Sequence, residues 1–107
     1  MALVNIKKML EDARKGKYCV SAFDVSNLEM AKAVIETAQE KQSPVILMGL
    51  SVDLQGDWLE YWIESVKKMA QRAGIPVCIH LEHAVDVEFI KKCIHAGFTS
   101  VMFDGSS

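Results

Sequence analysis

Hydrophobic and polar positions along the chain fall into blocks with two different periods. Four stretches place an apolar residue at every third or fourth position, which predicts amphipathic helices. Four shorter runs are almost wholly apolar and rich in β-branched or aromatic residues, which predicts strands. The predicted helices cover residues 5–15, 26–41, 57–73 and 86–95, and the predicted strands cover residues 18–25, 44–50, 76–82 and 100–105.

Start and stop signals flank these elements. Ser26 and Glu29 have the spacing of a capping box, so Ser26 is predicted to open the second helix. Asp86 is predicted to cap the fourth helix through its side-chain oxygen. Gly16 and Gly97 are predicted to end the first and fourth helices, with Gly16 in a left-handed conformation.

The regular alternation of helix and strand predicts an α/β fold. Strands that are apolar throughout indicate a parallel sheet covered on both faces and joined by right-handed crossovers. Both an open doubly wound sheet and a (β/α)₈ barrel fit this order, although the first strand leads into DVSN rather than a GxGxxG fingerprint. Both folds bind ligands at the carboxyl ends of the strands. We therefore expect functional residues in 24–27, 50–55, 82–86 and 104–107.

Composition narrows the class of protein. The chain has 107 residues, 50% of them hydrophobic and 24% charged, with a net charge of -2, which indicates one compact globular domain. No basic cluster is present, so neither nucleic acid nor a membrane surface is an expected partner. No apolar run is long enough to span a bilayer. Cys19, Cys78 and Cys93 lie in apolar segments without CxxC spacing, which predicts reduced core thiols in a cytosolic protein.

The third strand ends in the polar sequence IHLEH. Strand alternation places Cys78, His80 and Glu82 on one face, and His83 begins the following loop. An imidazole beside a carboxylate can bind zinc and move a proton. A catalytic zinc needs about three protein ligands, however, and no HExxH spacing is present. Spacing alone therefore leaves both a catalytic site and an ordinary hydrogen-bonded strand end open.

Other polar and aromatic positions are also ambiguous. Asp104, in MFDGSS, is either a ligand or base at a strand end or part of an ordinary turn, and Asp24 fits a loop equally well. His95 lies late in a helix, where a cation is mildly favourable. Trp58 and Trp62 stand four residues apart on one helix, which predicts that both pack in the core.

Three segments together resemble one enzyme family. The segments LVNIKKMLEDARKGKY, YCVSAFDVSNLEMAKAVIETAQEKQSPVIL and IHLEHAVDVEFIKKCIHAGFTSVMFDGSS are similar to the class II, zinc-dependent ketose-bisphosphate aldolases, which act on fructose or tagatose 1,6-bisphosphate. The resemblance covers essentially the whole chain and is weakest over 51–60. It implies that residues 1–107 form a single partial domain, the first half of a (β/α)₈ TIM barrel. Such a half-barrel has an amino-terminal helix, four parallel strands and three crossover helices.

The resemblance also implies roles for individual residues. His83 matches the zinc ligand that ends the family's HLDH motif, and Glu82 matches the acid that handles the proton of the substrate's C4 hydroxyl. Asp104 matches an acid near the metal, and Asp24 and Ser51 fall at substrate-binding positions. The implied cofactor is Zn²⁺, with a monovalent cation as a second ion. The implied reaction is reversible cleavage of a sugar bisphosphate to dihydroxyacetone phosphate and an aldehyde, in cytoplasmic carbohydrate metabolism such as glycolysis.

The departures from the family pattern lie at strand ends. The family has Asn where this chain has Asp24, Asp where it has Glu82, and a small hydroxyl residue where it has Leu50, with Ser51 one place late. A displacement on the order of 1 Å at a reacting group can cost about 10²-fold in rate. These changes predict a divergent substrate or a weakened catalyst.

The length of the chain raises a second expectation. A (β/α)₈ barrel needs about 200 to 250 residues, so 107 residues are expected to be an amino-terminal half, cut or encoded as a fragment, whose activity requires the missing half. Two zinc histidines and the phosphate loops would lie in that half. The alternatives are a non-catalytic half-barrel that pairs with itself or with another half to bind sugar phosphates, and a degenerate homologue without metal.

Overall fold

The computed structural model describes residues 2–106, and Ser107, the last position of the fourth predicted strand-end segment, lies outside them. Within that range the predicted order of helices and strands is confirmed. A short 3₁₀ helix, Ser51–Asp53, was not predicted. The elements are α1 (Ile6–Gly16), β1 (Ser21–Asp24), α2 (Leu28–Glu40), β2 (Val45–Leu50), α3 (Trp58–Arg72), β3 (Val77–Ala84), α4 (Val87–Ala96) and β4 (Ser100–Phe103).

The strands form one parallel sheet in the order β1-β2-β3-β4. Each strand therefore lies beside its neighbours in sequence, and the order never reverses. A doubly wound sheet contains a point at which the strand order reverses, whereas a barrel adds each strand on the same side. The fold is therefore half of a (β/α)₈ barrel.

Two apolar clusters lie on opposite faces of the sheet. The larger cluster packs α2, α3 and α4 against the outward face of β2 and β3, where Leu47, Ile79 and Leu81 are fully buried. The smaller cluster lies on the inward face and joins Met9 of α1 to Ile46 and Cys78. The chain preceding α1 runs beside the start of β3, where the backbone N–H of Val4 donates to the carbonyl of Val77 at 2.9 Å. These contacts place α1 at the amino-terminal end of the sheet.

Two helix boundaries differ from the sequence prediction. The side chain of Asn27, not Ser26, caps α2 by accepting the backbone N–H of Met30 at 2.9 Å. At the end of α1 the left-handed residue is Lys17, with φ of 58°, not Gly16. A Cβ atom at Gly16 would lie 2.6 Å from the ring of Tyr18, so a larger residue there would require that ring to move.

The other two boundary predictions are confirmed. Asp86 caps α4 through the backbone N–H of Glu88, and Gly97, with φ of 129°, follows that helix. Among the strands, β1 and β4 are shorter than predicted and β3 runs two residues further, to Ala84. The short strands are the outer ones, which pair on one side only.

Two predictions of burial are wrong. Cys19 is exposed, because it precedes β1 in a segment that no helix covers, whereas Cys78 and Cys93 are buried as predicted. Trp58 is 67% exposed at the first turn of α3, whereas Trp62 is buried. Within residues 2–106, no helix is long and apolar enough to cross a bilayer.

Candidate active site

The predicted site residues gather at one edge of the sheet. The register pairs Asp24 with Met48 and Leu50 with Glu82, so β1, β2 and β3 end side by side. The backbone N–H of Asp104 donates to the carbonyl of Ala84 at 2.8 Å, which brings the end of β4 to the same edge. This edge is the carboxyl end of the strands, where barrel enzymes place their active sites.

His83 lies in an irregularity of β3. Its φ is 49°, a left-handed conformation that is uncommon for residues other than glycine. The pairing of β3 with β4 shifts register between Leu81 and Ala84, so His83 occupies a β-bulge. Bulges next to active sites redirect a side chain out of the strand alternation. The exposed imidazole of His83 accordingly points toward the end of β4.

Asp104 and His83 form a direct contact between β4 and β3. The Oδ2 atom of Asp104 lies 3.0 Å from Nδ1 of His83. The other carboxylate oxygen accepts two hydrogen bonds from Ser106, one from its hydroxyl at 2.5 Å and one from its backbone N–H at 3.0 Å. Asp104 therefore takes part in the predicted turn with Ser106 and also contacts His83, and its role as a ligand or base stays a prediction.

The electrostatics of this pair follow from these bonds. The hydroxyl of Ser106, followed by His83, lowers the pKa of Asp104 from 3.8 to about 2. The hydrogen bond that His83 donates to Asp104 raises the pKa of His83 above 6.5, and the negative charges of Glu82, Asp104 and Asp24 act in the same direction. Asp104 is therefore an ionised acceptor that orients the His83 ring through Nδ1.

Glu82 belongs to a second contact, on the inward face of β3. Its Oε1 atom lies 3.5 Å from Nε2 of His80, and both side chains are mostly buried. The other ring nitrogen of His80 lies 2.6 Å from the hydroxyl oxygen of Ser100. The shared face predicted for His80 and Glu82 is confirmed. Ser100 was missed, although strand alternation and the β3–β4 register together point to it.

Ser51 and Asp24 complete the edge. The hydroxyl of Ser51 donates to the backbone carbonyl of His83 at 3.1 Å, which ties the 3₁₀ turn after β2 to the bulge in β3. Asp24 is the exposed last residue of β1, and its charge reaches His83. The substrate-binding roles of these two residues stay predictions.

The donor set fits one part of a zinc site. With Nδ1 of His83 bound to Asp104, Nε2 is the nitrogen that can face a metal, and carboxylates commonly orient zinc-binding histidines in this way. Within the described chain, however, no group of three His, Cys, Asp or Glu side chains could hold an ion. A catalytic zinc at His83 would therefore need further ligands from outside residues 2–106.

Comparisons with known proteins give one consistent result. The profile of the family described as "Fructose-bisphosphate aldolase class-II" matches residues 4–107. The chain is 39% identical over 110 residues to the 6-phospho-5-dehydro-2-deoxy-D-gluconate aldolase of Halalkalibacterium halodurans. It is 41% identical over 111 residues to the fructose-bisphosphate aldolase of Geobacillus stearothermophilus. Each alignment covers 99% of this chain and 38% of the relative.

The solved structures agree with the sequence matches. The YdjI aldolase from Escherichia coli K12 superimposes with a TM-score of 0.90 and 33% identity, covering 97% of this chain and 39% of that protein. The chain thus spans about 38% of the length of the curated relatives that it matches.

Proposed function

Because the chain belongs to the class II fructose-bisphosphate aldolase family, we propose that it supplies the amino-terminal half of a zinc-dependent aldolase barrel. The reaction is the reversible cleavage of a ketose 1,6-bisphosphate to dihydroxyacetone phosphate and an aldehyde. The activity belongs to cytoplasmic carbohydrate metabolism. The single observation that carries this proposal is the contact between His83 and Asp104, next to Glu82, at the carboxyl ends of β3 and β4.

Each of these residues has a separate task. Glu82 takes the proton of the C4 hydroxyl as the bond between C3 and C4 breaks, so the C4 oxygen becomes the carbonyl of the aldehyde. His83 presents Nε2 as one metal ligand, and Asp104 holds the ring by accepting from Nδ1. Bound zinc supplies Lewis-acid stabilisation of the negative charge that develops on the triose oxygen.

The strand-end departures bear on the substrate. Glu82 and Asp24 put two carboxylates, one longer than the family's Asp and one in place of its Asn, at the edge that faces a phosphorylated sugar. The two curated relatives carry names of different aldolase substrates. We propose fructose 1,6-bisphosphate, the substrate in the name of the Geobacillus stearothermophilus relative, and its epimer tagatose 1,6-bisphosphate as the first substrates to test.

The test is complementation of the half-barrel. The chain is extended after Ser107 with the aligned remainder of the Geobacillus stearothermophilus aldolase, loaded with Zn²⁺ and assayed on both bisphosphates. We expect turnover in this chimera, none in its Glu82→Gln variant, and none in the 107-residue chain alone. A chimera that folds and binds zinc without cleaving either sugar would contradict the aldolase proposal. Turnover by the monomeric chain would contradict the need for a second half.

A second candidate function is supported by the two outer strands. Both β1 and β4 pair on one side only, and Phe23 and Phe103 are exposed beside them. A groove of about 380 Å³ next to β1 is lined by apolar residues that include Phe23, Val34 and Pro44. A second half-barrel, of this chain or another, could add its parallel edge strand and an apolar helix there. Such an assembly would be a structural or sugar-phosphate-binding protein.

Solution mass and metal content separate these functions. A stable particle of twice 11.9 kDa without turnover would favour self-pairing. A degenerate homologue would contain no zinc after purification without chelator, even in the chimera.

A further inference from the structure

His80 is less exposed than the three charged side chains near it at the candidate site, Glu82, His83 and Asp104. It lies on the inward face of β3 with 13% of its side chain exposed, between buried Cys78 and Glu82. The parallel register places His80 directly opposite Ser100 of β4. Its two ring nitrogens therefore have different partners, the Ser100 hydroxyl at 2.6 Å and the Glu82 carboxylate at 3.5 Å.

The chemistry of the partners fixes the tautomer of His80. An ionised carboxylate can only accept a hydrogen bond, so a favourable contact with Glu82 requires the proton on Nε2. A neutral imidazole with its proton on Nε2 has an acceptor at Nδ1, so the Ser100 hydroxyl must donate. The hydrogen bond then runs from Ser100 to Nδ1 of His80, and the N–H at Nε2 faces the Glu82 carboxylate at 3.5 Å. The reverse tautomer would put a lone pair of His80 against the carboxylate.

We propose that His80 is a positioning residue that aims Glu82, and that Ser100 holds His80 in the required tautomer. This proposal rests on the proposed function, in which Glu82 handles the proton of the substrate hydroxyl. A contact of 3.5 Å is longer than a formed N–H···O bond of about 2.7–3.2 Å. Catalytic hydrogen bonds are often long in the absence of substrate and shorten in the reacting complex.

This arrangement gives a reason for Glu at position 82. Residues 80 and 82 are neighbours on the same face of a strand, so the carboxylate must bend back along the strand to meet His80. An aspartate is one methylene shorter and would lie farther from Nε2. The length of Glu82 thus suits its contact with His80, and Glu82→Asp should lower the activity. In a merely weakened aldolase, the same substitution should raise the activity.

The tautomer is tested directly in the 107-residue chain. Long-range proton–nitrogen NMR spectra distinguish the two neutral tautomers of histidine, and the three ring systems are assigned with His80→Gln, His83→Asn and His95→Asn. We expect His80 to carry its proton on Nε2. Ser100→Ala should produce a mixture of tautomers, and Ser100→Thr, which keeps the hydroxyl, should restore the original state. Ser65→Ala on α3 is the control and should change nothing.

Two results in that experiment would overturn the proposal. One is a His80 ring with its proton on Nδ1, and the other is a tautomer that does not respond to Ser100→Ala in a folded protein. Backbone amide spectra identify a variant that has lost its fold; in that case Ser100→Val, which lacks the hydroxyl but matches Ser100→Thr in shape, is compared with Ser100→Thr.

The functional consequence is tested in the zinc-loaded chimera. Loss of aim at a reacting group should lower kcat by on the order of 10²-fold in Ser100→Ala, with KM little changed and with recovery in Ser100→Thr. An unchanged kcat would overturn the positioning role. Suppose that His80 has the expected tautomer but the chimera folds, binds zinc and cleaves neither bisphosphate. That result would contradict the proposed function without contradicting the contact between Ser100 and His80, so the two failures are distinguishable.

Discussion

The two faces of β3 are built from alternate residues of the same eight-residue strand, yet they have different requirements. The outward residues Val77, Ile79 and Leu81 are all fully buried against the helices. The inward side begins with buried Cys78 but ends with His80 and Glu82, which are partly exposed. The outward face has a packed apolar side chain at every position. The inward face begins with a packed side chain and ends with polar side chains of the candidate site.

This difference separates stability from function within one element. Volume-conserving changes on an outward face are tolerated because dispersion and burial do not depend on a particular atom. The inward end depends on named atoms, such as Nε2 of His80 and Oε1 of Glu82. Substitutions that remove volume from the outward face should therefore lower the free energy of unfolding, and substitutions at the inward end should change the site more than the fold.

The largest expected effect is that of Ile79→Ala on the outward face. Ile79 is fully buried, and truncating such a residue removes its transfer energy and leaves a cavity. We expect the free energy of unfolding, measured by urea denaturation, to fall by about 2–5 kcal/mol. The matched control is Ile94→Ala on α4, where the side chain is 51% exposed and the loss should stay within about 0.5 kcal/mol. Equal decreases in the free energy of unfolding for the two variants would mean that burial does not distinguish the two positions.

A smaller effect is expected from Trp62→Phe. The indole Nε1 of Trp62 donates to the carbonyl of Val25 at 2.8 Å, and its ring stacks on Phe98 at 5.5 Å between centroids. A phenylalanine keeps apolar volume but leaves the buried carbonyl without its donor, which should cost about 1–3 kcal/mol. Thermal or urea unfolding of Trp58→Phe supplies the comparison. If the exposed Trp58 were as costly to replace, burial would not explain the difference.

At the inward end, Ser51→Ala should have a still smaller effect on stability. It removes the hydrogen bond to the carbonyl of His83, a loss of about 0.5–1.5 kcal/mol by urea denaturation. The amide resonances of residues 82–84 should shift, because Ser51 holds the bulge from the side of β2. Ser51→Thr retains the hydroxyl and is the control. A bulge whose resonances do not respond would mean that Ser51 does not hold it.

The most local effect is expected from Asp104→Asn. Because the hydrogen bond from His83 to the Asp104 carboxylate raises the pKa of His83 above 6.5, the neutral amide of Asn should let that pKa fall, as followed by a histidine NMR titration. By the same linkage, the contribution of protonated His83 to stability is present below pH 6.5 and is lost as the pH rises through its folded pKa. The Asp104 contribution is present above pH 3.8 and is lost as the pH falls toward about 2. Asp53→Asn is the control and should leave the His83 titration unchanged.

Much of the fold could be predicted from periodicity. The apolar outward face of β3 and the stripes of the helices repeat over enough residues to establish the order of elements. The errors fall at element boundaries, as at the end of α1, where Lys17 and not Gly16 takes the left-handed conformation. The exposure of Trp58 was missed because helical spacing does not show where the buried face of α3 ends.

The site was predicted by position and not by contact. The rule that ligands bind at the carboxyl ends of parallel strands predicted that Asp24, Ser51 and Glu82 lie at one edge of the sheet. The bond between His83 and Asp104 joins residues 21 positions apart, and it depends on a bulge that spacing does not reveal. Pairing His80 with Ser100 likewise requires the register of β3 on β4, which no single segment encodes.

The strand order β1-β2-β3-β4 also has a kinetic consequence. Each new strand can join the edge left by the strand synthesised just before it, so no pairing has to wait for a distant segment to leave the ribosome. Pairing between strands that are neighbours in sequence closes a shorter loop, at a lower entropic cost, than pairing with a more distant strand would. The half-barrel can therefore assemble during translation, at the pace of about 5–20 residues per second at which the chain emerges.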